Sequence, residues 1–177
     1  KYIMLIWLLL SLISTIKQFF IGKYNNYLIY KNVYYHSIHK LNLYAAYPTE
    51  YFDHNHYGPI FGLIIAPFAV LPDFLGLPLW GFFNAGVLVY SILQLPLKSN
   101  QITAVLWICL HEFLTTLLGV QFNPLMLAII ILTFVHIQKG NDFWATFFII
   151  IGIYVKLYGV VGLAFFFFSK NKVKFIT

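Results

Sequence analysis

Long apolar runs, broken only by short polar stretches, are what most constrain this chain. An α-helix needs about 20 apolar residues to cross the hydrocarbon core of a bilayer. Residues 3–20 make one such run, with Lys17 and Lys23 near its exit and Trp7 where an interfacial aromatic can sit. Further runs follow at 59–71, 74–95, 102–118, 125–137, 143–155 and 160–168. Of the 177 residues, 61% are hydrophobic and only 9% charged, whereas a soluble domain carries about a quarter charged residues. Lipid is therefore the expected solvent for most of the chain. The expected fold is all-α: one polytopic transmembrane helical bundle over 1–177, with about 6–7 membrane segments.

The net charge is +6, and all eleven basic residues are Lys. They stand singly or at the ends of apolar runs, which fits anchoring at lipid head groups and not a nucleic-acid-binding patch. The single cysteine, Cys109, is expected to be a buried packing thiol, and no zinc-type Cys/His spacing exists. The first run lacks a small-residue cleavage site, so it reads as a retained helix. The start at Lys1 and the stop just after an apolar run suggest a C-terminally truncated fragment of a longer protein.

Residues 23–57 form the longest polar stretch. The 24–57 portion holds nine Tyr and four of the six His. Leu28, Val33, Tyr34, Ile38 and Leu41 recur at near-helical spacing while Lys31, His36, His39 and Lys40 fall elsewhere, which predicts an interfacial amphipathic helix. Pro67, inside 59–71, makes that run either a short kinked span or a re-entrant arm. The positive-inside rule puts the cluster Lys170, Lys172 and Lys174 in the cytoplasm, with Lys139 on the same side. Residues 23–57, 119–124 and 156–159 then share the opposite face, provided that 59–71 is re-entrant and Lys98 is inside.

Only five acidic residues are present, and Glu50 and Asp53 lie close together with His54 and His56. A carboxylate beside imidazoles suits a general base or part of a metal site, and equally a solvated loop edge. Asp73 and Asp142 follow turn residues, as helix caps do. His111-Glu112 interrupts an apolar run, either as a functional intramembrane pair or as a segment end. Lys156 suits snorkelling or phosphate binding. Gln121 and Asn123 suit sugar hydroxyls, although Asn123 also fits as a cap before Pro124.

These features, in this order, resemble the bacterial polyprenol-phosphate-dependent glycosyltransferases of family 87, which have the GT-C fold. Asn26-Tyr27-Leu28-Ile29-Tyr30 and Leu43-Tyr44 are similar to the family's Asp-Phe-x-Val-Tyr and Leu-Tyr. Tyr57-Gly58-Pro59 through Pro67 is similar to its Tyr-Pro-Pro stretch, and Trp80 and Asn84 to a Trp and Asn in the next helix. Gly119-Val120-Gln121-Phe122-Asn123 and Lys156-Leu157-Tyr158-Gly159 echo its Gly-Gln-Val-Asn and Lys-Leu-Tyr-Pro turns.

The resemblance implies a multi-pass protein of the bacterial plasma membrane. It would move a hexose, mannose-like, from a polyprenyl-phosphate donor to a lipid-linked or extracytoplasmic glycan acceptor on the outer face. Asn26, Tyr30, Gln121, Asn123, Lys156 and Tyr158 would bind substrate. Asn26 stands where the family has its Asp, and an amide cannot take a proton from an acceptor hydroxyl. Asp53 is the first substitute as base, with Glu50, His54 and His56 behind it. No cofactor is certain; a divalent metal stays open, though none is indicated, and no metal ligand set is assigned. A lipid or glycan transporter and an inactive lipid-sugar-binding relative are the alternatives.

Overall fold

The computed structural model describes residues 2–169 and 172–173, and the regular elements among them are all helical. They are α1 (Tyr2–Phe20), α2 (Asn25–Ile38), α3 (Pro59–Ala69), α4 (Asp73–Leu93), α5 (Ser99–Ile108), α6 (Leu110–Leu118), α7 (Asn123–Gln138), α8 (Asp142–Val155) and a closing 3₁₀ segment (Leu157–Phe168). Lys170 and Lys174 of the basic tail lie outside the described residues.

Two helices, α1 and α4, are long and apolar enough to cross a membrane alone; α5 and α6, bent by 46° at Cys109, make a third candidate if they form one broken span. The 6–7 segments expected from the sequence thus reduce to two or three that meet the criterion. The remaining apolar helices are shorter. The 3₁₀ segment has 12 residues, and at about 2.0 Å per residue it reaches about 24 Å, as far as a longer α-helix would.

Packed side by side, α1 and α4 meet so closely that a Cβ on Gly81 would strike the Thr15 side chain. At the far end of α4, Lys139 after α7 donates to Gln94 Oε1 at 3.2 Å. At that same end Ser169 Oγ donates to Asp142 Oδ1 at 2.9 Å, joining the start of α8 to the finish of the 3₁₀ segment. The opposite end collects the rest. Asn26 Nδ2 donates to the Gly119 carbonyl at 2.7 Å, and the Gly58 N–H donates to the Val155 carbonyl at 3.1 Å. The three polar stretches thus meet at one end of the bundle.

That end is closed by α2 packed on α3. Tyr27 and Tyr35 hydroxyls donate to the Phe68 and Ala69 carbonyls, at 2.9 and 3.1 Å. Lys31 pairs with Asp73 Oδ1 at 2.7 Å. With 11 residues, α3 spans only about 16 Å. Its start meets the end of α8, its finish meets α2, and α4 sets out from beside α2.

Several sequence expectations need correction. The buried face of α2 is Tyr27, Ile29, Tyr30, Val33 and His36, whereas Ile38 and Leu41 are exposed. Aromatic packing on α3 and α4, more than aliphatic periodicity, decides which side turns inward. Trp7 is a core residue, 1% exposed, stacked on Phe113 and donating from Nε1 to the Leu106 carbonyl. Cys109 is exposed, because the α5–α6 bend turns it outward. Asp73 and Asp142 make no cap hydrogen bond; each is the first residue of its helix, where the helix dipole favours a carboxylate. Asn123 also opens α7 instead of capping it, and Phe122 holds the cap position.

Candidate functional site

Beneath the loop end lies an aromatic cluster contributed by segments far apart in sequence. Tyr30 from α2, Tyr57 before α3, Phe61 in α3, Trp80 in α4 and Phe122 before α7 pack ring against ring. Tyr57 is held from behind by Asn55, whose Nδ2 donates to the Tyr57 carbonyl at 2.9 Å and whose Oδ1 accepts the Tyr57 N–H at 2.9 Å. The Tyr57 hydroxyl lies 3.4 Å from that of Tyr30. Burial pushes both phenols above their ordinary pKa, Tyr30 the further, so both are neutral hydrogen-bonding groups at physiological pH.

Lys156 sits on this cluster. Its Nζ lies 5.2 Å from the Tyr57 ring centroid and 4.8 Å from that of Tyr158, within cation–π range. Burial lowers its pKa. A partly desolvated ammonium framed by two aromatic faces is suited to an anionic oxygen. Tyr158 is exposed, so one of those faces is open.

The Gly119–Asn123 turn forms the second wall. Val120 adopts φ +48°, a left-handed conformation unusual for a β-branched residue. Its neighbours hold it there: the Val120 N–H donates to Leu117 and the Gln121 N–H to Thr116, at 3.0 and 2.9 Å. Asn123 Nδ2 donates to Gln121 Oε1 at 2.8 Å, and both side chains are exposed. A cleft of about 360 Å³ joins Asn123 to Tyr158, floored by Met126, Leu127, Ile130 and Val161. On the other side of Leu127, an apolar groove of about 400 Å³ runs from Asn123 past Glu112 and Phe113 to Leu95.

The acidic candidates come from the 50–56 stretch. Asn25 clamps it: Nδ2 donates to the Phe52 carbonyl and Oδ1 accepts the Phe52 N–H, both at 2.7 Å. Asp53 follows at φ +75°, exposed, with Oδ1 accepting the His54 N–H at 2.8 Å. The clamp ties Asp53's neighbour to the residue beside Asn26. Glu50 is otherwise engaged: its Oε2 lies 2.8 Å from Nε2 of buried His36, which also packs on Tyr47. His54 and His56 are exposed.

Of the residues singled out from sequence, Asn26, Gln121 and Asn123 share one connected network, while Lys156 and Tyr158 join it through Tyr57 and the cleft. Tyr30 lies beneath the surface, 1% exposed, as support. His111 and Glu112 are exposed just after the bend, and Glu112 lines the groove. Among the described residues no group of three or more His, Cys, Asp or Glu is arranged to hold a metal. The clamps Asn25 and Asn55 were not singled out from sequence; their signal is an Asn at a helix start and an Asn two residues before a buried Tyr.

A family model described as glycosyltransferase family 87 matches residues 55–177. No curated protein and no solved structure matches the chain.

Proposed function

Since the chain belongs to glycosyltransferase family 87, we propose that it transfers a hexose, mannose-like, from a polyprenyl-phosphate donor to a lipid-linked or extracytoplasmic glycan acceptor, at the loop end of the bundle and on the outer face of a bacterial plasma membrane. The observation that carries this reading is the meeting of Asn26, the Gly119–Asn123 turn and Lys156 around one aromatic floor, with apolar grooves leading away from Asn123. An amphiphile with an anionic head and an apolar tail suits such a surface. In this reading α7, α8 and the 3₁₀ segment also cross the bilayer, in the manner of a GT-C bundle.

Mechanistically, Lys156 stabilises the negative charge that gathers on the departing lipid phosphate. Tyr158 and the Gln121–Asn123 pair orient the sugar through its ring face and hydroxyls. Asp53 takes the proton from the acceptor hydroxyl as that oxygen attacks the anomeric carbon. The bond to the phosphate oxygen breaks in the same displacement, and the configuration inverts. Of the other basic candidates, Glu50 is tied to His36, so His54 and His56 are the nearer auxiliaries.

A second reading, an inactive relative that binds lipid-linked sugar, is favoured by one observation. The Asn26 amide donates to the Gly119 carbonyl, a bond that an ionised Asp at this position does not make. The experiment is incubation of membranes containing the protein with labelled polyprenyl-phosphate mannose. Transfer that is lost in Asp53→Asn, with insertion unchanged, supports an active transferase. Binding of the labelled lipid without any turnover selects the inactive relative.

A further inference from the structure

Asn84 lies in the interior of α4, 2% exposed, within one of the helices long and apolar enough to span a membrane. Its Nδ2 donates to the Trp80 carbonyl one turn back at 2.8 Å. Its Oδ1 is buried and accepts from no protein donor among the described residues. The side chain forms part of the wall of a small cavity of about 10 Å³, between α1, α4 and the underside of the Gly119–Asn123 turn. The other side chains with polar atoms on that wall are Thr15, Trp80 and Gln121; Gly81, Leu117 and Val120 complete it.

That volume is near the least that holds one water molecule, and a buried water needs two to four polar partners. The partners are present with matching chemistry. Thr15 Oγ1 donates to the Ser11 carbonyl at 2.7 Å, which leaves its lone pairs to accept. Gln121 Oε1 already accepts from Asn123 Nδ2, which leaves Nε2 as the free donor.

We propose that Asn84 is a positioning residue that acts through a single buried water: the water donates to Asn84 Oδ1 and Thr15 Oγ1 and accepts from Gln121 Nε2. The consequence reaches the cleft. With Nε2 turned down to the water, Gln121 presents Oε1 to Asn123, so Asn123 is held by its Nδ2 and its own Oδ1 is free. The water also braces the strained turn at Val120 from below. The significance of Asn123 for substrate rests on the transferase reading; the bridge itself does not.

The test is therefore independent of turnover. Backbone hydrogen exchange is followed in the full chain in lipid nanodiscs, for the wild type, Asn84→Leu, Asn84→Asp and Thr15→Val. Asn84→Leu keeps the shape and removes the acceptor, while a buried, protonated Asp keeps a carbonyl acceptor. The expected result is exchange across 119–123 about tenfold faster in Asn84→Leu and Thr15→Val, near wild type in Asn84→Asp, and unchanged in the body of α7. Equal exchange in all four proteins, or acceleration spread over α4 and α7 alike, overturns the bridge. An experimental structure with solvent density within hydrogen-bond distance of Asn84 and Gln121 supports it, and a dry cavity overturns it. A transfer assay on the same samples fails separately if the transferase reading is wrong.

Discussion

Lys156 carries a charge that the protein has made conditional. Its pKa is lowered because part of its water shell is replaced by the rings of Tyr57 and Tyr158. The ammonium is present below that lowered pKa and is lost as pH rises through it. Transfer rate should therefore fall on the alkaline side earlier than an ordinary lysine would dictate, and Lys156→Arg should move that limb to higher pH. A pH–rate profile of both proteins checks this. Lys156→Met should lower the rate by about two orders of magnitude, the scale of removing one preorganised charge stabiliser. Asn26 makes an opposite kind of prediction. Restoring the family's carboxylate by Asn26→Asp should lower activity, because it places an anion against the Gly119 carbonyl. A gain of activity would show that position 26 still governs the proton transfer. The sequence, with its family resemblance, singled out Asn26, Gln121, Asn123, Lys156 and Tyr158, and the fold brings them to one end of the bundle. What was not legible was who supports whom. Trp7 was expected at the interface and Tyr30 among the substrate contacts, yet both are 1% exposed, because aromatic residues carry no mark of the side on which their neighbours will lie.

At the scale of elements, close backbone approach decides where the site sits. A Cβ on Gly76 would collide with the Tyr27 hydroxyl and the Phe68 carbonyl, where α2, α3 and α4 converge. Gly76→Ala should destabilise the fold by about 1–3 kcal/mol, the usual cost of overpacking a tight contact, read as a lower thermal midpoint in detergent. Gly58 likewise allows the Tyr57 turn to lie against the carbonyl of Tyr154. This is a reason for Gly where the family pattern has Pro, and Gly58→Ala should separate Tyr57 from Lys156. The boundaries of α1, α4 and α8 were close to what the apolar runs suggested. The failures have local causes. The α5–α6 break falls at Cys109, before the charged pair at 111–112 and just ahead of Phe113, which stacks on Trp7. The closing run at 160–168 folds as 3₁₀ helix over Leu157–Phe168, a pitch that composition does not reveal.

For the whole molecule, hydrogen bonds bring Lys139 to Gln94, near Lys98, at one end, and gather the stretches carrying Lys23 and Lys156 at the other. The sequence expected 23–57, 119–124 and 156–159 to share one face, and tertiary hydrogen bonds gather the ends of these stretches together. Single cysteines at 121 and 53, in a Cys109→Ala background, should react with an impermeant thiol reagent from outside, and cysteines at 98 and 139 only after permeabilisation. The central claim is that the loop end is where sugar leaves a lipid phosphate. Its most direct measurement is single-turnover transfer from labelled polyprenyl-phosphate mannose in proteoliposomes, comparing wild type with Lys156→Met and Asp53→Asn. The account predicts turnover in the wild type and its near-complete loss in both variants, with donor binding weakened only in Lys156→Met. Wild-type rates in both variants would contradict it.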